Sequence, residues 1–172
     1  MSKKEVKLKF NAAWDLAPAP EDSKHVSIKK QYDLFINGEL VKPNSKKYFA
    51  TYNPATDEKL SEVADADEKD VDKAVKAARA AFGKWSKLSG KERGKYIYRI
   101  ARLMQERARE FAVIETMDGG KPIRESRDID VPLAANHFFY YAVWSDKLSY
   151  SFPHKCPKPL GTSGQVIPWI FT

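Results

Sequence analysis

The run from Ser89 to Pro122 constrains the fold most, because it carries a start signal, a helical period and a stop signal in order. Ser89-Gly90-Lys91-Glu92 fits a capping box: the serine accepts from the first turn and the glutamate reaches back. Ile97, Ile100, Ala101, Met104, Ala108, Phe111 and Ala112 then recur at spacings of three and four, which predicts an amphipathic helix. Gly119-Gly120 supplies a left-handed cap, and Pro122 prevents continuation. The spacing predicts one long helix. Its apolar stripe must be covered, so the chain needs a second layer.

The same run explains the charge. Lys84 to Arg109 holds nine basic and two acidic residues, a surplus of seven that equals the +7 of the whole 172-residue chain. At about 100° per residue, Lys91, Lys95, Arg99, Arg102 and Arg109 fall opposite the apolar stripe. Such a stripe is either a solvated helix face or a track for phosphates. The basic face has no interleaved aromatics and no nucleic-acid motif, which favours the solvated face. A basic-helix nucleic-acid binder is kept as the weakest alternative.

Residues 1–30 read as an arm or linker, lysine-rich and broken at Ala17-Pro18-Ala19-Pro20. Asn37-Gly38 between short apolar runs predicts a two-residue hairpin, since both turn positions need φ > 0. Residues 48–53 and 60–64 are two further strands, joined through Asn53-Pro54-Ala55-Thr56-Asp57-Glu58. A helix starts near Asp67, with Val71, Ala74, Val75, Ala78, Ala81 and Phe82 on one face. A third helix begins after Asp128 or Asp130, with Pro132 tolerated in its first turn. Leu133, His137, Tyr140, Tyr141, Trp144 and Leu148 form its expected packing face, with His137 as a hydrogen-bonded core histidine. Residues 149–160 read as extended chain, and Gln165–Phe171 as a buried strand. The class is α/β.

Chemistry is sparse at this level. One cysteine, Cys156, excludes a disulfide framework. The histidines His25, His137 and His154 stand far apart, and no metal site is expected. Cys156 sits in a proline-flanked extended segment without an oriented base, so it is not expected to be catalytic. Gly119-Gly120-Lys121 lies at a helix C-terminus, where the dipole repels anions. Asp118, Asp128 and Asp130 read as cap and turn residues. No stretch is apolar enough to span a membrane and the basic start lacks a secretory pattern, so the expected location is the cytoplasm.

Several segments, taken in order, resemble the N-terminal portion of the NAD(P)-dependent aldehyde dehydrogenase family. They are Leu34-Phe35-Ile36-Asn37-Gly38-Glu39, Asn53-Pro54-Ala55-Thr56, and Val71-Asp72-Lys73-Ala74-Val75-Lys76-Ala77-Ala78-Arg79-Ala80-Ala81-Phe82 with Trp85. Further along come Arg93, Arg99, Ile100 and Ala101, then Glu115-Thr116-Met117-Asp118-Gly119-Gly120-Lys121-Pro122, Tyr140-Tyr141-Ala142 with Trp144, and Gly164-Gln165-Val166-Ile167-Pro168-Trp169. The similarity runs from about Tyr32 to Phe171.

The resemblance implies β-hairpins plus three helices, ending at the first strand of a Rossmann-like cofactor sheet. It divides the chain into a 1–30 arm, a 31–148 N-terminal half of the cofactor-binding domain, a 149–160 oligomerisation-type arm and a 161–172 first strand. Val166, Ile167, Pro168 and Trp169 would line NAD or NADP. Ile170 stands where the family has an asparagine that helps hold the oxyanion, Thr172 where it has a proline, and Val143 where glycine is common. Aldehyde oxidation in the family proceeds by thiolate attack, hydride transfer to nicotinamide and thioester hydrolysis. The cysteine and glutamate for those steps are not among the matched segments, so the resemblance implies a truncated portion, inactive alone. The alternative is a non-catalytic protein that associates with a full-length paralogue.

Overall fold

The structure is a computed structural model, and it describes residues 22–167. Five strands come first: β1 (Gln31–Tyr32), β2 (Leu34–Ile36), β3 (Glu39–Val41), β4 (Tyr48–Tyr52) and β5 (Lys59–Ala64). Asn37 and Gly38, at φ +55° and +86°, turn β2 back onto β3 as their sequence requires. β4 and β5 pair antiparallel across the Asn53–Glu58 turn, where Asn53 Oδ1 accepts from Ala55 N at 3.0 Å. β1 was not expected. It adds in parallel to β5, giving the order β1-β5-β4, and Ser61 Oγ fixes its approach by donating to Lys29 O at 2.8 Å.

Helix α1 (Glu68–Trp85) starts where expected. Asp67 accepts from the Lys69 and Asp70 backbones, and Asp70 returns to Asp67 N. The expected apolar face is only partly covered: Ala74 and Phe82 are half-buried, while Val71 is 57% exposed.

The single long helix expected over Ser89–Gly119 is two helices, α2 (Gly90–Glu106) and α3 (Ala108–Gly119). The break is Arg107, at φ −109° and ψ 19°. Its guanidinium forks onto the Glu110 carboxylate at 2.6 and 2.8 Å and lies 5.5 Å from the Phe111 ring centre. Apolar spacing runs straight through the break, so periodicity could not show it. Of the two terminal glycines only Gly120 is left-handed, at φ +73°; Gly119 is the last helical residue.

The capping box of α2 is formed. Ser89 Oγ accepts from Glu92 N at 3.2 Å, and Glu92 accepts from Ser89 N at 3.0 Å. The Ser89 backbone and hydroxyl together hold the Glu92 carboxyl below its usual range. Ser89→Ala is expected to cost about 1 kcal/mol, read as a lower urea midpoint at unchanged slope.

A short turn, α4 (Ile123–Glu125), and a wide helical turn at Ser126–Asp130 lead into α5 (Val131–Trp144). The packing face of α5 is not the expected one. Val131, Ala135 and Ala142 are buried, whereas Leu133, His137, Tyr140, Tyr141 and Trp144 are exposed. His137 is therefore not a core histidine. Small residues win the interface because α2 presents Gly94 and Ala101, which let the helices approach closely. Tyr98 and Phe139 close the contact edge-on at 5.1 Å. The extended reading of 149–160 is corrected at its start by a further helical turn, α6 (Leu148–Ser151). From Phe152 to Ile167 no helix or strand forms. A strand exists only through its ladder partners, and no described strand lies beside 165–167. The expected strand is absent over those residues, and its remainder lies outside the described ones.

Candidate functional site

The cofactor-lining expectation falls on Val166, Ile167, Pro168 and Trp169. Val166 is fully exposed and Ile167 is 63% exposed, both on irregular chain. Pro168, Trp169 and Ile170 lie outside the described residues. Against a dinucleotide, the two described side chains fit as part of an apolar wall only. No backbone cradle for phosphates accompanies them among the described residues.

The polar centre of the molecule is elsewhere, on the Glu115–Pro122 segment. Lys121 Nζ lies 3.2 Å from Glu115 Oε1 and 3.0 Å from Asp130 Oδ2, with the lysine and glutamate side chains 18% exposed. The hydrogen bond to Asp130, seconded by Glu115, holds the ammonium above its usual pKa. Two ion pairs on one ammonium make this a positioning cluster. It ties the end of α3 to the start of α5. Asp130 is thus an ion-pair partner, and it makes no side-chain cap bond as had been expected. Asp128 pairs with Arg127 at 2.6 Å, and Arg127 holds the Asp128 carboxyl below its usual range. Beneath the cluster Thr116 Oγ1 lies 3.2 Å from the fully buried Ser126 Oγ. Gly120 packs so close to Pro54 that a Cβ there would sit 2.6 Å from the proline ring.

Two other polar contacts fix the strands. Tyr48 donates to Asp33 Oδ1 at 2.6 Å, and that bond pushes the phenol up to about 12. Asp70, a buried carboxylate, accepts Asn44 N on both oxygens at 2.9 and 3.2 Å. Asn44 Nδ2 in turn donates to Asp67 Oδ2 at 2.6 Å and holds the Asp67 carboxyl below its usual range. Between the sheet and α3 lies a mostly apolar cavity of about 160 Å³ lined by Ile28, Tyr32, Leu60, Val63 and Ile114, with Asp118 at its wall.

Cys156 is exposed, and its thiol approaches only the Pro157 carbonyl, at 3.9 Å. Among the described residues no group of His, Cys, Asp and Glu could hold a metal. No described helix is long and apolar enough to cross a membrane. Lys91, Lys95, Arg99, Arg102 and Arg109 are all exposed. The basic stripe therefore faces solvent, as the periodicity implied. The Lys121 cluster escaped sequence reading because its three members come from two helices and the turn between them.

This arrangement of small sheets and helices is an α/β fold shared with aldehyde dehydrogenases of known structure. The profile of the aldehyde dehydrogenase family matches residues 40–172. The chain belongs to that family. It is 41% identical over 148 residues to aldehyde dehydrogenase family 2 member B4, mitochondrial, of Arabidopsis thaliana, covering 80% of this chain and 28% of that protein. It is 37% identical over 171 residues to the mitochondrial aldehyde dehydrogenase of Homo sapiens, covering 93% and 32%. The solved NAD+ complex of the Bacillus cereus aldehyde dehydrogenase superposes with a TM-score of 0.66 at 42% identity, covering 68% of this chain and 24% of that one. The chain spans about a third of the length of the curated relatives it matches.

Proposed function

We propose that this chain is the N-terminal portion of an NAD(P)-dependent aldehyde dehydrogenase and supports no aldehyde oxidation by itself. The family match over residues 40–172, on a chain about a third the length of its relatives, carries the reading. Residues 31–148 then form the first half of a cofactor-binding domain, 149–160 an oligomerisation arm and 161–172 the first strand of the cofactor sheet. With neighbouring strands in place, Val166, Ile167, Pro168 and Trp169 would form one apolar wall of the nucleotide site. The nicotinamide, when bound, supplies the hydride acceptor. Ile170 cannot donate a hydrogen bond to an oxyanion, and loss of one such donor costs roughly 10²–10³ in rate.

Cys156 is exposed and its thiol contacts a backbone carbonyl rather than a hydrogen-bonded base, which supports this reading. Purified chain mixed with an aldehyde and NAD or NADP is expected to give no rise in reduced-nicotinamide absorbance. Turnover that vanishes in Cys156→Ala would overturn this.

Association with a full-length family member is the second reading. The full exposure of Leu160, with Phe152 half-exposed in the same segment, favours it.

A further inference from the structure

On α2, two lysines flank a glycine where the helix meets α5. Lys91, Gly94, Lys95 and Tyr98 lie one turn apart on one side of the helix, where it meets the end of α5. At Gly94 the two helices touch, with Ser145 and Ala142 filling the space a side chain would take, and an open groove of about 360 Å³ lies beside that contact. Its walls are mostly apolar, built from Tyr98, Val143 and Ala142. Its rim is cationic. Lys91 and Lys95 make no salt bridge among the described residues, and the N-terminal end of α2 adds the positive pole of its dipole. The opposite rim would otherwise repel an anion, since α5 ends there. Lys147 offsets this by placing its ammonium 3.2 Å from Val143 O, the last-turn carbonyl, and 3.3 Å from Asp146 Oδ1. Three ammonium groups thus face one carboxylate.

We propose that this groove binds an apolar carboxylic acid as its anion, with the carboxylate between Lys91 and Lys95 and the hydrocarbon body along Tyr98 and Val143. The charge of the rim selects the headgroup, and the apolar walls select the tail. The groove is open at the surface, so the ligand exchanges rapidly and binds weakly. None of these residues belongs to the cofactor-lining set, so the site is separate from the one in the proposed dehydrogenase reading.

Octanoate is the probe, and 1-octanol its uncharged counterpart. In NMR titrations of the full chain, octanoate is expected to shift the amides of Gly94, Val143 and Lys147 saturably. Octanol and the Lys91→Met/Lys95→Met variant are each expected to bind about tenfold more weakly, the loss of two partly exposed ion pairs. Val143→Asp, an exposed change that places a like charge in the groove, is expected to abolish the shifts. Equal affinity for octanol and octanoate would overturn the proposal. So would unaltered octanoate binding in the double-lysine variant, or octanoate shifts centred on the exposed Leu133–Tyr141 face instead.

Discussion

Gly94→Val is expected to destabilise the chain by about 3 kcal/mol or more, enough to unfold most molecules of a marginal domain. A Cβ at Gly94 would sit 2.5 Å from Ser145 Oγ and 2.7 Å from the Ala142 carbonyl oxygen. The serine hydroxyl can rotate away, but the carbonyl is backbone inside a helix. Ser145 Oγ also lies 2.8 Å from both the Gly90 and Ala142 carbonyls, so displacing it breaks a polar link between α2 and α5. Gly94→Ala meets the same first contact but gains helix propensity, and a loss of about 1–2 kcal/mol is expected. Gly83→Ala is the control: nothing lies within 4 Å of its Cβ, and it should stabilise α1 by about 0.5–1 kcal/mol. Urea titrations followed by circular dichroism rank the three. Equal midpoints for Gly94→Val and Gly83→Ala would refute the close helix contact.

Asp70→Ala is expected to cost about 1–3 kcal/mol, since hydrogen bonds to a charged group are the stronger kind and the accepting carboxylate is itself buried. Asp70 is 6% exposed, and its carboxylate is the acceptor for the backbone N–H of Asn44 and, at 3.3 Å, of Asp67. Alanine leaves both donors without that partner. It also loosens the turn at Asn44, whose sequence neighbour Pro43 is fully buried. Asp70→Asn keeps one acceptor oxygen and should lose about half as much. Hydrogen exchange at Asn44 provides a local readout: protection should vanish in Asp70→Ala and persist in part in Asp70→Asn. Unchanged exchange in the alanine variant would show that the carboxylate does not hold this turn.

What could be read from the residues follows from how local each signal is. Asn37-Gly38 and Ser89 with Glu92 act within a turn, both form as read, and the helix start at Asp67 is equally local. Arg107 interrupts a helix without glycine or proline, and its causes are side-chain contacts that periodicity does not record. On α5 hydrophobicity pointed to the aromatic residues, yet packing followed shape, and Ala135 and Ala142 met Gly94 and Ala101. β1 is too short to show a period of its own and exists only through parallel pairing with β5. The cofactor-lining residues were legible only as a family motif. Their local structure depends on strands that the described residues do not supply.

The α2–α5 contact also sets a timetable during synthesis. The β2–β3 and β4–β5 hairpins join neighbouring residues and can close as soon as they leave the ribosome. The hydrogen-bonded pair Gly90 and Ser145 is separated by 55 residues. At about 5–20 residues per second, α2 waits roughly 3–11 s with Gly94 and Ala101 uncovered before α5 is made. A helix of this length is marginal alone, so the Ser89–Glu92 capping box favours it without securing it, and the charge surplus carried by the same stretch favours solubility of the uncovered chain before any ligand or partner is met.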